Sequence, residues 1–402
     1  MKLEESFLME GKTIDGFKAA LEEMDEANSF IHVSSKDIKI LSYDADASDA
    51  YDLAFREIKP SEAGQIFSGI APGSKTLNKD SLIDKGASEE LISDLIGITH
   101  QMLEVPGREP MFVSSNCIGT MASRVLLGGD EFFRPSMLRD ALLAERLAKR
   151  GQPVTMMVRT VGGTSKCFAV HSGGYADYPQ TILCDILDKL SGELGAPECR
   201  KWQVSHDMSS IIIAFPEKAD EVADMYELPD RLIPGLYLGT SDVGDSSVTA
   251  MGVWIKDGVI TYDAVYKKKH QGRASAEDIL KNIEEKIFPR FTVVPERLAE
   301  LIRIDIPAEK LPWVYEKVMS QTGISKAMGK KLSKSLLEEM ETEINPGLSY
   351  TAYNVATTFM DLPRRLISVE KSTKSALEQN VVKAVFCNYN SLKSAPEIIL
   401  GA

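Results

Sequence analysis

The chain has 402 residues, 44% hydrophobic and 26% charged side chains, and a formal net charge of −13; this length exceeds one ordinary domain, so two or three substructures around buried cores are expected. The apolar runs, such as residues 209–216 (SSIIIAFP), fall well short of the roughly 20 residues a membrane helix needs, and residues 1–17 show no basic start followed by an apolar stretch. A soluble, cytoplasmic globular protein is expected, and its acidic balance argues against unspecific coating of duplex DNA, where Lys and Arg neutralise phosphates.

The charge is unevenly spread: residues 1–100 hold 20 acidic and 10 basic side chains, residues 251–402 hold 19 acidic and 22 basic. The front is therefore acidic and the rear mildly cationic, which allows a local basic groove at the rear. The five cysteines, Cys117, Cys167, Cys184, Cys199 and Cys387, are odd in number and never form a CxxC pair. That pattern fits buried thiols in a reducing compartment and supplies no zinc signature.

In chain order, residues 13–28 read as a helix, and 29–44 as a strand with β-branched, alternating apolar positions. Residues 61–70 and 88–103 each open with Ser followed by an acid, a helix N-terminal signature, with a turn-rich link between them. Residues 134–153 are an amphipathic helix with Leu138, Leu142, Leu143 and Leu147 on one face, stopped by Gly151 and Pro153. The period then changes to two. Residues 154–173 predict a hairpin turning at Gly162–Gly163, followed by a tyrosine loop and a helix over 180–195. Residues 201–216 predict two strands around Asp207, 235–255 two more, and 258–270 another. Helices return at 275–288, 295–302, 308–322, 325–343 and 350–363.

The expected fold class is α+β: an acidic N-terminal α/β segment (1–135), a central antiparallel domain (136–275) whose sheet over 154–270 carries the inserted helix across one face, and a helical C-terminal region (276–402).

Catalytic signatures are absent from the sequence. The string VGGTSK (161–166) lacks the GxxxxGK[ST] spacing and reads as a hairpin turn, and HExxH, GxSxG and dinucleotide fingerprints do not occur. His171 and His206 read as satisfied, partly buried side chains of the strand region. In the turn TSDVGDSSV, Ser241, Asp242, Gly244 and Asp245 suggest carboxylates that accept backbone N–H bonds within the turn. The densest cationic run is Lys267, Lys268, Lys269, His270 and Arg273, beside Tyr262 and Tyr266. On a sheet edge such a run could track a phosphate backbone while a tyrosine stacks on a base; alternatively it is a lysine-guarded edge.

The succession IPGLYLGTSDVGDSSV, GVWIKDGVI and KKHQGR, preceded by FAVHSGGYADYPQTILCDIL, resembles the core of the phage and plasmid protein family called domain of unknown function 932, over about 165–275. The resemblance places Ser172 and Tyr175 on that family's Ala-x-x-Ser-x-x-Tyr stretch; Thr240 stands where the family has Asn, and Ile255 and Asp257 where it has Cys and Asn. Ile255 cannot act as a nucleophile, so no thiol chemistry follows at that position. What the resemblance implies is a mobile-element context among DNA-processing functions.

The expectation from these residues and from the resemblance is a non-enzymatic, DNA-associated accessory protein of a phage or plasmid that binds or anneals single strands through Lys267–Arg273, helped by basic clusters at 326–334 and 364–365. It would be homo-oligomeric, without membrane, cofactor, metal or catalytic residues. The alternatives are a self-assembling virion or shell protein, or a hydrolase using Asp242, Asp245 and His270 around a metal.

Overall fold

The computed structural model describes residues 2–60, 74–128, 134–190, 194–243, 248–270, 275–322, 349–365 and 378–392. Along the chain run β1 (Leu8–Gly11), α1 (Ile14–Ala27), β2 (Asn28–Ser34), β3 (Lys39–Tyr43), β4 (Asp52–Ile58), β5 (Ser74–Asn78), α2 (Lys79–Asp84), α3 (Glu89–Asp94), β6 (Gln101–Glu104), β7 (Met111–Val113), α4 (Ser115–Arg124) and α5 (Met137–Arg150). The middle holds β8 (Pro153–Val161), β9 (Thr164–Ser172), α6 (Ile182–Leu190), β10 (Glu198–Ser205), β11 (Ser209–Ala214), α7 (Pro216–Tyr226), β12 (Ile233–Thr240), β13 (Val248–Lys256) and β14 (Val259–Lys268). Then follow α8 (Ala276–Lys286), α9 (Arg290–Ile302), β15 (Asp305–Pro307), α10 (Leu311–Gln321), β16 (Ser349–Thr351), α11 (Ala352–Arg365) and α12 (Tyr389–Leu392).

The fold is α+β, with large antiparallel sheets. One sheet has six strands in the order β1-β10-β11-β12-β13-β14, and another has eight in the order β2-β8-β9-β7-β6-β3-β4-β5. This corrects the expectation of one sheet across 154–270: β8 and β9 belong to the eight-stranded sheet, and β10 to β14 to the other. The physical reason is pairing across long sequence distance. Asn28 to Ser34 lie antiparallel to Arg159 to Pro153, and Phe112 and Val113 of β7 run parallel to Lys166 and Cys167 of β9. Because β1 also pairs with β10, strands from before residue 135 take part in both sheets, and the boundary placed there cuts through strand pairings.

Local chemistry explains the elements. The side chains of Thr13, Ser88, Ser136 and Ser275 accept from the backbone N–H three residues on, opening α1, α3, α5 and α8. Gly162 and Gly163 have φ of +60° and +92°, and Asp257 and Gly258 +49° and +81°. Those values suit two-residue hairpin turns whose twist matches the flanking strands, which is why β8–β9 and β13–β14 are tight hairpins. In α5 the inward face is Ala141, Leu143, Ala144 and Leu147, whereas Leu138 is 53% exposed, so the leucine stripe is narrower than its spacing suggests.

Three apolar clusters hold the layers together. One face of the six-stranded sheet packs against residues of α1, α6 and α8 to α12. The eight-stranded sheet is covered on one face by α4 and α5 and on the other by residues of α2 and α3, with Leu3 and Val243. Cys117, Cys167, Cys184 and Cys387 are buried and Cys199 half-buried. Among the described residues no helix is long and apolar enough to cross a membrane.

Candidate functional site

The residues singled out in the sequence separate into an exposed edge and a buried junction. Among the described residues, β14 is the terminal strand of the six-stranded sheet and pairs only with β13. Lys267 and Lys269 are exposed and Lys268 is half-buried at its end. Some surface cations elsewhere are matched to carboxylates, as in Lys39–Glu104, Lys218–Glu221 and Arg231–Asp220, while others, such as Lys36, Lys85 and Lys149, stand exposed in no ion pair among the described residues; what sets Lys267 to Lys269 apart is that three cations are consecutive. Among the described residues, no ion pair occupies any of the three consecutive lysines.

The two tyrosines lie on opposite faces of β14, because a bulge between Met251 and Val253 shifts the alternation. Tyr266 stands opposite the core residue Ala250, and its ring is covered by Lys286, whose Nζ is 4.9 Å from the ring centroid. Tyr262 faces the other way and meets Tyr237 edge to face at 5.9 Å. His270 is not on the edge with the lysines. It is 6% exposed, donates from Nδ1 to the Ala176 carbonyl at 3.3 Å, and has Nε2 3.5 Å from the Thr240 hydroxyl. Burial pushes its pKa down, so it is a neutral internal ring and no phosphate contact. Arg273, Gly244, Asp245 and the 326–334 cluster lie outside the described residues, as do the side chains of Arg364 and Arg365.

Behind the edge is the junction of the two sheets. His171, Tyr175 and His270 stack nearly parallel, with centroids 3.7 Å and then 5.1 Å apart. Both His171 Nε2, at 2.8 Å, and the Tyr175 hydroxyl, at 3.4 Å, donate to the backbone carbonyl of Asp242. That bond fixes the tautomer of His171, and burial lowers its pKa to about 4. Three sequence-distant segments, those of Tyr175, Ser241–Asp242 and His270, thus meet at one place.

The Asp242 side chain is the centre of this junction, and its role differs from the turn expected. Its described hydrogen-bond partners are side chains from other elements: Gln180 Nε2 donates to Oδ2 at 2.6 Å and Asn28 Nδ2 at 3.5 Å. The Ser209 hydroxyl donates to Gln180 Oε1, and Arg159 Nε donates to Asn28 Oδ1 at 2.9 Å. The carboxylate therefore joins the start of β2 to the segment before α6, with β8 and β11 one step behind. Asp242 is 3% exposed, and its Oδ1 and the neighbouring Ser241 Oγ have no hydrogen-bond partner among the described residues. Burial raises its pKa from the ordinary 3.8 to about 7, with Asp25 adding to the rise and Gln180 and Arg159 opposing it. Arg159 itself is held down to about 10 by burial, its guanidinium 4.5 Å from the Phe168 ring centroid.

A second buried polar cluster was missed in the sequence. Arg139 and Asp140 open α5 at 2% and 0% exposure. Arg139 Nε donates to Asp140 Oδ1 at 2.8 Å, Nη2 donates to the Thr99 carbonyl at 2.7 Å, and Gln101 also donates to Asp140. Thr99 ends a π-helical turn, Leu95–Thr99, and His100 follows with φ +54°. The only sequence signal was two adjacent charges where the apolar stripe should begin.

What can these groups do? Among the described residues, no group of three or more His, Cys, Asp or Glu side chains is placed to hold a metal ion. The histidines of the stack are committed to carbonyls and rings, so the junction is a buried polar link between the sheets, and Lys269 immediately precedes His270 of the stack. Comparison with known proteins finds no matching family, no similar curated protein and no similar solved structure.

Proposed function

We propose that this protein binds single-stranded nucleic acid along the β14 edge, as a non-enzymatic accessory factor. The observation that carries the reading is the run Lys267–Lys269, without ion-pair partners among the described residues, in a chain with 59 acidic against 46 basic side chains. In so acidic a chain, three adjacent lysines without carboxylates keep their full attraction for an external polyanion, because no internal ion pair has to break first. An extended strand edge suits a single strand better than a duplex, since a flexible backbone can follow it phosphate by phosphate while its bases turn to either face. The mobile-element context implied by the sequence resemblance accords with such a role. The sheet junction behind the edge would hold the strand ends rigid, so little ordering cost falls on binding.

The test is fluorescence anisotropy with a labelled oligo-dT at low salt, on wild type and on Lys267→Gln/Lys268→Gln/Lys269→Gln. Removing one lysine–phosphate pairing should flatten the log–log salt dependence by about 0.7, so the triple variant should bind more weakly and with a slope smaller by up to about 2. If wild type shows no binding in any oligomeric state, the nucleic-acid reading fails and the edge is better explained as lysine-guarded against self-pairing in a protein assembly.

A further inference from the structure

Resting on that reading, we infer that the cavity beside Tyr262 is a nucleobase pocket, in which one base of a strand held by the lysine edge inserts against Tyr237 and Tyr262. The cavity has a volume of about 240 Å³ and opens on the face of the six-stranded sheet that carries Gln203, Tyr237, Met251 and Tyr262, with Met208 and Glu378 at its wall. Three observations lead there. Register comes first: Lys267 stands opposite Thr249, Val265 opposite Met251 and Tyr262 opposite Val253. Residues 249, 251 and 253 share one face of β13, so Lys267, Val265 and Tyr262 share one face of β14. A strand leaving the lysines on that face passes Val265, which is 49% exposed, and reaches Tyr262 after roughly 16 Å, five residues of strand rise.

Size is the second. The volume lies below the roughly 300–1,000 Å³ of sites that enclose whole drug-sized ligands. One ring system fits inside while its sugar and phosphates remain outside, toward the lysines.

The third is lining chemistry. Tyr237 and Tyr262 meet edge to face at an interplanar angle of 81° and make one wall aromatic, and the thioethers of Met208 and Met251 favour aromatic edges. Burial raises the pKa of both phenols, so they stay neutral. The Gln203 amide at the wall provides a donor and an acceptor for a base edge. Tyr266, the other tyrosine near the lysines, is excluded from this role by Lys286 over its ring.

The experiment compares a labelled dT15 with an abasic strand of the same length and label, on the full chain, for wild type, Tyr262→Leu, the cavity-filling Met251→Trp, and the triple lysine variant. Wild type should prefer the base-bearing strand by about 10-fold, the value of one stacked base. Tyr262→Leu and Met251→Trp should both abolish that preference and keep the affinity for the abasic strand, with thermal unfolding confirming that each is folded. The lysine variant should weaken both strands together. Equal wild-type affinity for the two strands would overturn the pocket and leave the lysine edge standing. A preference that survives both cavity variants would place the base elsewhere and also overturn it. Absence of binding to either strand would remove the nucleic-acid reading and the pocket with it.

Discussion

Replacing Asp242 with Asn should make the protein more stable at pH 8, although it removes a hydrogen-bonded side chain at the centre of the sheet junction. The carboxylate is 3% exposed and its pKa rises from 3.8 to about 7 on folding, chiefly through burial. Between those values the folded protein holds a proton that the unfolded chain has released, so stability falls as pH rises through that window. A rise of about 3 pKa units at ~1.4 kcal/mol each sets a ceiling near 4 kcal/mol. Asn keeps one oxygen for the Gln180 amide and carries no charge, so it escapes that penalty. The advantage of Asp242→Asn should be close to nil near pH 4 and should reach between about 1 and 4 kcal/mol at pH 8. His171 acts in the opposite sense. Its pKa falls from 6.5 to about 4 through burial, so stability is lost as pH falls through that range. In wild type the two slopes offset each other between about pH 4 and 6.5; in the variant the His171 slope is unmasked, and stability should climb with pH. Urea unfolding of both proteins at half-unit intervals from pH 4 to 8 measures this. A variant less stable than wild type by the same amount at every pH would show that Asp242 is ionised in the fold, with Arg159 as its counter-ion, and would refute the reasoning.

Two further outcomes follow from the same structure. Arg139→Ala leaves Asp140, at 0% exposure and with its pKa already raised by burial despite Arg139, without its compensating charge; urea unfolding at pH 7 should show a loss of about 3–5 kcal/mol, and adding Asp140→Asn should recover part of it. Asp25 of α1 caps the approach to α6, accepting from the Gln180 and Thr181 backbone N–H groups at 2.8 and 2.9 Å and from the Thr181 hydroxyl at 2.8 Å; Asp25→Ala should cost roughly 2 kcal/mol in the same assay, and a cost near zero would mean that water replaces the cap.

Features that depend on neighbours a few residues apart could be read directly from the chain. The N-cap at Ser88, the αL stop at Gly151, the Gly162–Gly163 turn and the strand pair around Asp207 were all legible, because caps, turns and period-two alternation are written within about ten residues. The α+β class followed from those elements. Which sheet each strand joins was settled only by long-range packing, since alternation tells which face of a strand is buried and carries no address for its partner; β2 finds β8 across a separation in which Asn28 lies opposite Arg159. The same limit applies to the candidate site. The lysine run was visible as composition, but the bulge at Met251–Val253 that turns Tyr262 and Tyr266 to opposite faces, and the rings that take His270 inside, arise from packing between distant segments. Asp242 shows the difference most clearly: the sequence offers it a local turn to cap, and the fold instead gives it Gln180 and Asn28, 62 and 214 residues away. A buried carboxylate bonds whichever donors the closing sheets leave dry beside it, because an unmet one costs more than the local turn can return.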